Sequence, residues 1–150
     1  MPLSRLTISC LTISILACTN SVTGPTGKTA PLGIWGANAS PGVSASMLVV
    51  GATGATFQLD CARGSIGQPL VLDASGHFDL PGNIVNTSNL SGPSHAARYM
   101  GSLTGNTMTL IVGEIDCESC PQDSPEGEAT ELFGPFNLQL GVKPAFHVCG

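Results

Sequence analysis

The chain has 150 residues, only 10% of them charged, with five Lys and Arg against ten Asp and Glu and a formal net charge of -5. So few basic residues, none of them clustered, exclude the electrostatic footprint of a nucleic-acid-binding protein. The 19 glycines and 11 prolines interrupt regular structure too often for a mostly helical fold, and the length suits a single domain.

Residues 1–17, MPLSRLTISCLTISILA, place Arg5 ahead of an uncharged and largely apolar run, the pattern of a secretory signal peptide. That run is too short to cross a bilayer, which takes about 20 residues. It ends in Ile15-Leu16-Ala17-Cys18, which resembles the lipobox of bacterial lipoproteins. The resemblance implies cleavage before Cys18, a diacylglycerol on its thiol, palmitate among the acyl chains of the anchor, and a mature chain held in a membrane. Thr19 stands where an inner-membrane retention signal would place Asp, so the outer membrane or cell surface is expected. The other reading is an ordinary signal peptide in which Cys18 is incidental. Residues 18–31, rich in Thr, Gly, Ser and Pro, then form a lipid-anchored flexible tether, with the folded domain over 32–150.

Within the domain, residues 32–37 (LGIWGA) open with the only tryptophan, Trp35. Residues 46–51 and 55–62 predict a hairpin around Ala52-Thr53-Gly54, with Phe57, Leu59 and Cys61 on one apolar face. Residues 69–73 and 76–80 flank Asp73-Ala74-Ser75-Gly76, a turn with Gly where a left-handed residue is wanted. Residues 81–93 read as a polar loop that could rim a site. Residues 98–104 and 107–112 flank Gly105-Asn106, a further hairpin, and residues 135–141 and 145–149 supply the last strands. About eight strands with local connections predict an all-β antiparallel meander, closed as a small barrel or folded as a sandwich.

Gly33-Ile34-Trp35 resembles the Gly-x-Trp that opens the first strand of lipocalins and other calycins. That likeness implies a calycin-like barrel, with Lys143 or Arg98 as the basic residue near the tryptophan. A longer pattern is similar to a group of small bacterial exported proteins of unassigned activity. It comprises Trp35-Gly36, Phe57-x-x-Asp60-Cys61-Ala62-x-Gly64, Gly76-x-Phe78, Ala97-Arg98-Tyr99-x-Gly101, Thr107-Met108-Thr109-Leu110 and a terminal cysteine. It implies a fold and an address, and no activity.

Cys10 would leave with the signal and Cys18 carries lipid, which leaves Cys61, Cys117, Cys120 and Cys149. In an oxidising compartment these predict two disulfides, with three connectivities possible. Cys61 with Cys149 and Cys117 with Cys120 is the favoured arrangement. Seven of the ten carboxylates lie within residues 113–131, around Cys117-Glu118-Ser119-Cys120. The stretch lacks the ligands of a closed zinc site, the helix of a thioredoxin-type redox pair and the spacing of an EF-hand, so it reads as an acidic, disulfide-pinched loop.

His77, His95 and His147 are scattered, with His147 expected to be half-buried, and no hydrolase motif accompanies them. Asp60, Asp73 and Asp79 follow the grammar of turns and strand ends. The expectation is a monomeric, non-catalytic binding module without cofactor or metal, taking a small apolar ligand or peptide near Trp35, Phe57 and Tyr99. The alternative from another class is a periplasmic or surface inhibitor of a hydrolase such as a lysozyme or protease, for which an acidic loop would suit a basic target. A barrel packed solid with its own side chains would leave no interior site at all.

Overall fold

The structure, a computed structural model, describes residues 27–86, 93–115 and 131–147. Its ten strands are β1 (Lys28–Thr29), β2 (Gly33–Ala37), β3 (Ser46–Val50), β4 (Ala55–Leu59), β5 (Ala62–Ile66), β6 (Val71–Leu72), β7 (His77–Asn86), β8 (His95–Thr104), β9 (Thr107–Ile115) and β10 (Glu131–Leu140). Eight of them close into an antiparallel barrel in the order β10-β2-β3-β4-β5-β7-β8-β9, and β1 pairs with β6 in a small separate sheet. The calycin-like barrel is thus the architecture, and the sandwich is not.

Period-two alternation builds the barrel wall. Along β3 the buried residues are Ser46, Leu48 and Val50, along β4 Ala55, Phe57 and Leu59, and along β9 Met108, Leu110 and Val112, with Gly113 and Ile115 buried beyond them. These rows face one another across the interior, where Trp35, Phe57, Tyr99, Phe136 and Leu138 complete a single hydrophobic core. One end of the barrel is plugged from outside the wall. Ala30, Leu70 and Leu72 are buried in the same core, with the Ala30 N–H bonded to the Leu70 carbonyl at 2.8 Å.

Several sequence expectations are corrected. Lys28 to Ala30 belong to β1 and the plug rather than to a free tether, so the domain begins before Leu32. Residues 55–62 are not one strand. β4 stops at Leu59, the chain bends at Asp60 and Cys61, and Cys61 is exposed rather than on the apolar face. β5 then follows, unannounced by its sequence ARGSI.

The Asp73 turn is present, with the Gly76 N–H bonded to the Asp73 carbonyl at 3.1 Å and Gly76 at φ 81°. The strand before it, however, pairs with β1 and lies outside the barrel. Pro81 to Asn86, expected as loop, continue β7. Pro81 is tolerated because β5 pairs with β7 only from Asn83 onward, which leaves that edge of β7 without a barrel partner at Pro81. Residues 145–147 run outside any strand, and His147 is exposed.

Ser46 is the one buried polar residue whose hydroxyl has no hydrogen-bond partner among the described residues. An unpaired buried hydroxyl forfeits its solvation, so Ser46→Ala should stabilise the fold by about 1 kcal/mol. Urea unfolding monitored by Trp35 emission measures this. An unchanged or lower midpoint would mean the hydroxyl is paired in solution.

Candidate functional site

The residues expected to meet a ligand are brought together, but by packing against one another. Phe57 meets Tyr99 edge-on with centroids 5.9 Å apart, and Phe136 at 5.7 Å. Trp35 and Tyr99 are 0% exposed and Phe57 is 1% exposed. Their polar ends are already used: the Trp35 Nε1–H donates to the Pro31 carbonyl at 3.1 Å and the Tyr99 hydroxyl to the Asn83 carbonyl at 2.7 Å. Burial raises the Tyr99 pKa above its ordinary value, so the phenol stays protonated and remains a donor.

Space lies on the outside of the barrel instead. An open cleft of about 1470 Å³ runs between the β1–β6 flap and the outer face of β7, β8 and β9. Its apolar wall includes Pro31, Pro69 and Val71 on the flap side and Met100 and Ile111 on the barrel side. Met100 and Ile111 are direct cross-strand partners, as are Ser102 and Thr109, so the register sets an apolar row beside a polar one.

The charged groups of this cleft are largely committed. Asp79 accepts both arms of the Arg98 guanidinium, at 2.6 Å from Nε and 2.7 Å from Nη2. The pair spans β7 and β8 on the outer face, so Arg98 does not serve Trp35 in the interior; Lys143, the other expected basic residue, is exposed. Asp73 accepts the N–H groups of His77 at 2.9 Å and Ser75 at 2.7 Å. The His77 bond foremost, with that of Ser75, holds its carboxyl below the usual range against an opposing desolvation.

A smaller hollow of about 350 Å³ lies over β5, β7 and β8 and is bordered by Ser65, Asn83, His95 and Ala96. His95 reaches Glu114 at 3.1 Å across β8 and β9. Register places this pair on the same face as buried Ala97, at the end of the barrel opposite the plug. Sequence reasoning missed both cross-strand pairs, because each depends on the register between neighbours. Among the described residues, no group of three or more His, Cys, Asp or Glu is placed to hold a metal ion.

Cys61 is disulfide-bonded, and its partner lies outside the described residues. Cys18, Cys117, Cys120 and Cys149 lie there too, as does residues 116–130 of the acidic stretch. Its flanks do not: Glu114 is in β9 and Glu131 in β10, where they are register partners.

Fold and surface together define a small closed β-barrel whose interior holds Phe57, Tyr99 and Phe136 in mutual contact through Phe57, with an external apolar cleft. No family model, curated protein or solved structure matches the chain.

Proposed function

We propose that this protein is an exported, lipid-anchored, non-catalytic binding module that takes a small apolar ligand or a peptide in the cleft between the β1–β6 flap and β7–β9. The observation that carries the reading is the contrast between the two spaces: the interior is occupied by Phe57, Tyr99 and Phe136, whereas the outer cleft of about 1470 Å³ keeps Met100 and Ile111 available. That volume exceeds the roughly 300–1,000 Å³ of an ordinary small-molecule pocket, which favours an elongated occupant. Cys18 is the proposed lipid attachment point, which makes the membrane a partner through its acyl chains. Several chains would hold the protein durably at the bacterial outer membrane or cell surface. Cys117 and Cys120 are proposed to close the acidic loop as a second disulfide.

The filled barrel also favours the inhibitor reading, in which contacts come from the surface alone. One titration separates the two, with the mature protein against 1-anilinonaphthalene-8-sulfonate and, separately, a basic lysozyme. The ligand reading expects dye binding that weakens by about tenfold or more in a Met100→Asp, Ile111→Asp double variant, since charge placed in an apolar wall must be desolvated. Trp35 emission should be unchanged in that variant. Equal dye binding by both proteins would remove the cleft from consideration. Lysozyme binding at low salt that fades as salt rises would favour the inhibitor, and its absence at low salt would sink that version.

A further inference from the structure

The barrel is unevenly sewn. Strand β10 pairs with β9 from Glu131 to Gln139, but with β2 only through Gln139 opposite Gly36 and Leu140 opposite Trp35. Beyond Leu140 the chain turns back over this seam. The Gly141 N–H bonds the Ile34 carbonyl at 2.7 Å, and the Val142 N–H bonds the Gln139 carbonyl at 3.3 Å.

Residues 141–147 then alternate in exposure as a strand would, with Pro144 buried and Val142 and Phe146 half-buried between exposed neighbours. They lie so close on β2 that Gly36 has no room for a side chain: a Cβ there would meet the Val142 carbonyl oxygen and stand 2.6 Å from Pro144 Cδ. The segment reaches the far side of β2 and β3, where the His147 N–H donates to Asp60 Oδ1 at 2.9 Å. Asp60 is the neighbour of disulfide-bonded Cys61.

Cys149 follows His147 by two residues, a span of at most about 7 Å, and a disulfide brings its two Cα atoms to roughly 4.4–6.8 Å. A residue two positions beyond the His147 anchor can therefore span the distance that a disulfide to Cys61 requires. We propose that residues 141–147 are a strap across the β10–β2 seam, clamped by a Cys61–Cys149 disulfide, and that reduction of this bond opens the seam. An external dithiol is the reductant. Its thiolate attacks one sulfur and expels the other as a thiolate, its second thiol closes a cyclic disulfide, and the two cysteines take up two electrons and two protons. The released strap uncovers Gly36 and the edges of β2 and β10. This holds whatever the outer cleft binds.

Trp35 sits on the seam and is the only tryptophan, so the mature protein carries its own reporter. Peptide mapping without reduction should find Cys61 joined to Cys149. Treatment with dithiothreitol, or the Cys149→Ser substitution alone, should shift Trp35 emission to the red. Amide exchange over Gly33–Ala37 should accelerate by about tenfold or more while the β7–β8 amides keep their protection. A Cys117→Ser, Cys120→Ser variant should respond to dithiothreitol as the wild type does. Cys61 found joined to another cysteine, an unmoved Trp35 signal, or equal acceleration of exchange in every strand would each overturn the proposal.

Discussion

Gly82→Ala should destabilise the protein by about 3 kcal/mol, the upper range for forcing one methyl into a packed core. An ideal Cβ at Gly82 meets the Ser65 carbonyl oxygen and lies 2.7 Å from Tyr99 Cε2 and 3.0 Å from Cδ2. Neither neighbour can yield cheaply. The Ser65 oxygen is backbone of β5, and the Tyr99 ring is held by its hydroxyl on the Asn83 carbonyl and by Phe57 against its edge. Gly64 belongs to the same arrangement, since a Cβ there would meet the Tyr99 hydroxyl oxygen and stand 2.5 Å from the Asn83 carbonyl oxygen.

The ring therefore occupies the volume that two side chains would fill on ordinary strands, an aromatic lying over bare backbone. For a folded part of this size the loss corresponds to a fall in Tm of about 10 °C. Thermal unfolding followed by circular dichroism reads it directly. A Gly82→Ala protein within about 0.5 kcal/mol of wild type, the scatter of neutral surface changes, would mean that Tyr99 does not sit where the structure has it.

The same two glycines explain why part of the fold was illegible in the sequence. β3, β4 and β9 announce themselves because their inward positions are large and apolar, as in Leu48-Val49-Val50 or Met108-Thr109-Leu110. β5 does not, because Gly64 replaces its central inward side chain with space for a ring supplied by β8. Nor does the middle of β7, where Pro81-Gly82-Asn83 carries turn residues whose tolerance depends on the early end of β5 and on Tyr99. Local pattern is a poor guide wherever the packing partner is several strands away.

The candidate site divides the same way. That Trp35, Phe57 and Tyr99 would share one interior followed from alternation. That they would fill it did not, because filling depends on how Phe136 and Leu138 of β10 approach after the bulge between Phe133 and Phe136. The outer cleft was harder still, since it exists only through the β1–β6 flap, and the pairing of β1 with β6 joins residues far apart in the chain.

Phe57→Ala should cost about 4 kcal/mol, close to the middle of the range for deleting a buried ring. The magnitude has two sources. The ring is 1% exposed, so nearly all of its transfer free energy is lost with it. It also makes two aromatic contacts in the core, to Tyr99 at an interplanar angle of 75° and to Phe136 at 47°, and such pairs add about 0.5–1.5 kcal/mol each beyond buried area. Against a total stability on the order of 5–15 kcal/mol, that loss leaves a marginal fold whose urea midpoint should fall well below that of wild type.

Phe57→Leu, which keeps most of the volume, should lose clearly less. The alanine variant also tests whether the interior is filled. A hollow walled by Leu48, Tyr99 and Phe136 would be apolar and dry, the kind of space that binds benzene. Saturating benzene should therefore raise the Tm of Phe57→Ala while leaving wild type unmoved, because a ligand stabilises only the state that has room for it. If wild type gained as much from benzene as the variant, the barrel would already contain an open cavity, and the binding site would belong inside it rather than in the outer cleft.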